Sequence, residues 1–122
     1  MKKHLCVQLH LSPSVTGERA QELLVYILNA TFPNSRGLQN RGCYRAMLVS
    51  FEKGTEDGIS YVTMNFAIED VFLLWDLVKT QLDVRNLRSA AIVTCEGSNG
   101  WDDYLLLHSF DPDEKIDEIG AL

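Results

Sequence analysis

A chain of 122 residues is the usual size of one domain, and with 46% hydrophobic and 23% charged residues it can bury one core without a disulfide or a structural metal. A formal charge of −6 and a pI near 4.9 set it against a phosphate backbone or an anionic membrane, which excludes a general nucleic-acid or membrane binder and favours a protein partner or a small polar ligand. Three cysteines without paired spacing, no continuous apolar leader and no apolar run near the ~18 residues of a membrane span point to the cytoplasm.

In chain order, Leu5, Val7, Leu9 and Leu11 alternate with His4, Cys6, Gln8 and His10, the pattern of a half-buried strand with a polar outer face. Ser12, Pro13, Ser14 and Thr16 then supply helix-start chemistry. Ala20, Leu23, Leu24, Ile27 and Leu28 form one apolar stripe that ends across 29–33. The stretch NSRGLQNRG, 34–42, is turn-rich and unpatterned and reads as a loop. Residues 43–51 alternate again as a second strand, with apolar groups on both faces, and KGTEDG at 53–58 reads as the turn of a hairpin.

The stretch from 59 to 82 organises the rest. Val62, Met64, Phe66 and Ile68 recur at every second residue, after which Val71, Leu74, Trp75, Val78 and Leu82 fall on one helical face, so a third strand feeds directly into a second helix. Phe66 and Trp75 are the expected core anchors. Phe72, Leu73 and Leu77 add apolar surface beyond that face, the mark of a partner or dimer surface unless another segment covers them. Residues 83–86 break the helix and 89–95 form a short apolar fourth strand. EGSNGWDD reads as a glycine-rich loop, and 104–110 returns as a fifth strand ended by Pro112. The expected domain is 1–110. Residues 111–122, with five acids against one lysine, read as a solvated acidic tail.

The order is therefore βαββαββ. Short turns make the second and third strands, and the fourth and fifth, antiparallel neighbours, while the helices serve as right-handed crossovers. The expected fold is a ferredoxin-like α+β sandwich: an antiparallel five-stranded sheet, strands in the order 5-4-1-3-2, with both helices on one face.

Several residue groups have the makings of chemistry. His4 and Cys6, about 7 Å apart along a strand, are too few for a zinc site, and His10 lies about 20 Å from His4, so no metal is expected. Cys43 falls between Arg41 and Arg45 at two-residue spacing, where two guanidinium groups would favour a thiolate nucleophile. His108 is a candidate general acid/base, oriented by Asp102 or Asp103. Together these make the enzymatic alternative. The chain has no GxxxxGK, GxGxxG, GxSxG or HExxH run, and no cofactor is expected.

Strand directions in the expected topology bring Arg36, Arg41 and Arg45, the acids Glu69 and Asp70, and Trp101, Asp102 and Asp103 to one end of the sheet. Arginine there offers planar forked donors to a carboxylate or phosphate, and an exposed tryptophan offers stacking area. The favoured reading is a small binding module for a protein partner or a small polar or anionic ligand at that end. It is expected to be a homodimer through either the second helix or the open sheet face carrying Tyr44, Leu48 or Tyr61.

Overall fold

The computed structural model describes residues 2–33, 43–97, 100–111 and 113–116. Five strands form one antiparallel sheet: β1 (Lys3–His10), β2 (Met47–Glu56), β3 (Ile59–Ile68), β4 (Ala91–Gly97) and β5 (Gly100–Ser109). Helices α1 (Gly17–Asn29) and α2 (Val71–Val84) cross over between them. The sheet order is β2-β3-β1-β4-β5, which is the expected ferredoxin-like order read from the other edge. Among the described residues no helix is long and apolar enough to cross a membrane.

The alternation seen in the sequence is the reason the layers form. Leu5, Val7 and Leu9 of β1, Val62, Met64 and Phe66 of β3, and Val93 and Cys95 of β4 are fully buried beneath Leu23 and Ile27 of α1 and Leu74, Val78 and Leu82 of α2. The intervening residues His4, Cys6, Gln8 and His10 point to the open face. Both helices start at side-chain caps: Thr16 accepts the Arg19 amide, and Asp70 accepts the amides of Phe72 and Leu73. α2 stops where Asn86 takes a positive φ of 55° and the Leu87 amide donates back to the Leu82 carbonyl.

The hairpins differ in detail from the sequence expectation. β2 runs on through Glu56, and the turn is only Asp57 and Gly58, whose φ values of 52° and 79° match a two-residue type I′ connection. Gly54, expected in the turn, is a strand residue lying under the Tyr61 ring, which a Cβ at that position would meet at 2.5 Å. Cys43 and Tyr44 do not belong to β2. They pair with Pro33 and Phe32 in a separate two-residue ladder at the foot of the 34–42 segment. β5 starts at Gly100, so Trp101, Asp102 and Asp103 are strand residues rather than loop residues.

Trp75 is also placed differently from expectation. It is half-buried against the core, as Leu73 and Leu77 are, and Phe72 is exposed. α2 therefore has less surplus apolar surface than its sequence implies. Both sheet edges carry charges and irregular pairing: Glu52, Lys53 and Glu56 with a bulge in β2, and Asp102 and Asp103 with bulges against β4. Such edges resist strand addition.

Candidate functional site

The start of β1, the ends of β3 and β4, and the starts of β2 and β5 all lie at one end of the sheet, because Lys3 pairs with Ile68, Ala67 with Met47, and Gly97 with Gly100. At this end the register of β1 against β4 (Leu5 opposite Cys95, Cys6 opposite Thr94) carries His4 to Glu96 on the open face. One carboxylate oxygen of Glu96 accepts the His4 backbone amide at 2.7 Å and also contacts His4 Nδ1. Trp101, 44% exposed on β5, stacks on the imidazole with ring centroids 6.4 Å apart and planes 30° apart. Lys3 Nζ donates to the Gly97 carbonyl at 3.4 Å.

This arrangement has chemical consequences. A carboxylate on Nδ1 fixes the ring's orientation and leaves Nε2 as the nitrogen available to a ligand. The tryptophan adds a flat apolar face beside that nitrogen. Gly97 makes the geometry possible, since a Cβ there would run into the backbone oxygen of Asp103, and only glycine lets β5 approach this closely at the bulge.

Of the residues singled out from sequence, Arg36 and Arg41 lie outside the described residues, as does the side chain of Cys43. Arg45 is exposed just before β2. β2 and β5 are opposite edges of the sheet, four strand spacings or about 19 Å apart. Arg45 and Trp101 therefore flank the sheet end and do not form one pocket. Asp102 and Asp103 are exposed beside Trp101 on β5. His108 is separated from them by five to six residues of the same strand, about 17 to 20 Å. A bulge turns it opposite Val93, toward the helices, where its Nε2 pairs with the Arg88 carbonyl at 2.9 Å. The structure thus brings Trp101 to His4, leaves Asp102 and Asp103 as the next residues along β5, and does not bring either aspartate to His108.

On the far side of β1 the same end holds Tyr44, whose ring lies 5.8 Å from that of Phe32. Burial raises the Tyr44 hydroxyl pKa, the nearby Asp70 and Glu69 carboxylates add to the rise, and a hydrogen bond with the Asp70 backbone offsets part of it. Cys6, next along β1 from His4 on the open face, also has a raised pKa, from burial, against the opposing effect of a hydrogen bond with Thr94. It is a neutral thiol at physiological pH. Among the described residues no group of three or more His, Cys, Asp or Glu is placed to hold a metal.

Sequence reasoning weighed His4 only as a metal ligand and missed Glu96 as its partner. The missing information was the β1/β4 register, which nothing local encodes. Compared with family models, curated proteins and solved structures, the chain shows no match.

Proposed function

We propose that the protein is a small binding module that takes a polar ligand with one flat face at the His4–Glu96–Trp101 end of its sheet. The observation that carries this reading is the stack itself: an exposed tryptophan on an imidazole that a carboxylate orients. Trp101 supplies stacking area and His4 Nε2 one directed hydrogen bond. Arg45, at the opposite edge of the same sheet end, is too far from Trp101 to share a ligand with it and contributes only a positive charge to that end. The setting is cytoplasmic on this reading, and two copies pair as a homodimer through either α2 or the part of the open sheet face that leaves His4 accessible.

The test is a ligand-induced thermal-shift screen of the wild type, with hits repeated on His4→Ala, Trp101→Ala and Arg41→Ala. Hits that survive all three substitutions in folded protein remove this end from consideration. Light scattering at micromolar concentration is expected to give twice 13.8 kDa, and a mass of 13.8 kDa would contradict the dimer.

A second reading, general-base catalysis, is favoured by the Glu96–His4 pairing, which matches the way a carboxylate orients a catalytic imidazole. In its sequence-based form it used Cys43 or His108. Alkylation of Cys43 no faster than that of a model thiol at neutral pH would remove the nucleophile version.

A further inference from the structure

The far end of the open face differs in chemistry from the His4 end. Gly54, Tyr61 and His10 stand side by side there on β2, β3 and β1, because His10 pairs with Tyr61 and Tyr61 with Gly54. The half-buried Tyr61 ring lies over Gly54, where the absence of a side chain leaves room for it. Alternation places Glu52 and Glu56 on the same face of β2, two residues either side of Gly54 and each about 7 Å from it along the strand. An aromatic ring thus rests on the sheet between two carboxylates. Beyond His10 the Phe110 ring continues the strip at 4.7 Å. Phe110 is 39% exposed, and Ile59, which pairs with Glu56, is 48% exposed. From Tyr61 over β2 to Phe110 the strip runs about 14 Å, the length of four residues of extended chain.

The charges select what fits this strip. Glu52 and Glu56 are exposed, and their side chains make no ion pair or hydrogen bond among the described residues. No strand of the sheet places a lysine or arginine on this face, since Lys3 and Lys53 alternate to the helix side. The face of an aromatic ring attracts a cation, and carboxylates beside it attract the same cation. A second copy would set one negative surface against another, so the strip is not complementary to itself.

We propose that this strip docks a basic linear segment of a partner protein. The segment lies across the strands on the sheet face, with an arginine or lysine side chain on the Tyr61 ring between Glu52 and Glu56 and an apolar neighbour against His10 and Phe110. This leaves α2 for the homodimer. The strip is about 20 Å along β1 from His4, and its occupancy is independent of ligand binding there.

The test follows a short fluorescent peptide of alternating arginine and leucine by anisotropy as the full chain is added, at about 0.15 M salt so that distant charges are screened. Glu52→Gln combined with Glu56→Gln is expected to weaken binding about threefold to tenfold. Tyr61→Leu, which keeps an apolar side chain over Gly54 and changes no charge, is expected to weaken it about twofold to fivefold. Gly54→Ala, which displaces the ring, is expected to act in the same direction and serves if Tyr61→Leu does not fold. Glu18→Gln combined with Asp76→Asn removes the same charge from exposed positions on the helices and is expected to change binding less than twofold. An equal loss in that control would show general charge attraction and overturn the proposal. So would binding of a glutamate–leucine peptide as tight as that of the arginine peptide, or unchanged binding in both Tyr61→Leu and Gly54→Ala. A wild-type dimer that Tyr61→Leu dissociates would show that a second copy is the occupant, and would overturn it as well.

Discussion

The two ends of β1 make a controlled comparison. His4 and His10 are the same residue type on the same strand and the same open face, about 20 Å apart. Each meets an aromatic side chain from the β5 side of the sheet: Trp101 at 6.4 Å, and Phe110 at 4.7 Å with the rings tilted by 59°. Only His4 also meets a carboxylate, because β4 extends past it to Glu96, whereas at the other end β4 begins opposite Leu9 and offers His10 no partner. A histidine and an aromatic ring thus make a packing contact at one end and an oriented polar site at the other. The length and register of a neighbouring strand decide which.

The largest expected effect abolishes the contrast by removing the scaffold both ends share. Phe66, fully buried in β3, is expected to cost about 3–5 kcal/mol as Phe66→Ala in urea unfolding, a large share of a domain's stability. Trp75→Ala, half-buried, is expected to cost clearly less, and an equal loss would show that the core extends fully over Trp75.

Next comes Gly97→Ala, which should damage one end only. The added Cβ meets the Asp103 backbone, so a loss of about 1–3 kcal/mol is expected, with NMR shifts at His4 and Trp101 and none at His10. Movement at both histidines would show that the ends are coupled. A smaller effect is expected from Glu96→Gln. The pair is partly exposed, His4 at 38%, and solvent screening limits its worth to at most about 1 kcal/mol. His10→Gln should cost still less.

The smallest effect concerns Cys6, which lies between the two histidines. With its thiol pKa raised by burial, its alkylation at pH 8 is expected to be slower than that of a model thiol. A raised folded-state pKa adds stability that is complete below the unfolded thiol's value, about 8.5, and is lost as pH rises through the folded one. A Cys6→Ser variant should therefore lose less stability than the wild type between neutral and strongly alkaline pH. An identical alkaline profile would show that Cys6 is not buried in solution.

The alternation of Leu5, Val7 and Leu9, the stripe of α1, and the change of period at the β3–α2 junction determined the elements, their inward faces and the strand order. These signals are carried by neighbouring residues and restricted by the handedness of crossovers. Even so, two local details departed from the pattern. Lys53 to Glu56 stayed in strand because an Asp-Gly pair alone satisfies the turn, and Trp101 to Asp103 stayed in strand because β4 offered them a partner. The site's composition was beyond the reach of sequence patterns. His4 meets Glu96 across 92 residues only once β1 and β4 have settled into register, and one bulge swings His108 away from the face it would otherwise share with Tyr104. Registers and bulges are chosen by the summed packing of a whole sheet, so the tertiary structure alone decided which histidine is braced and which is tied to a carbonyl.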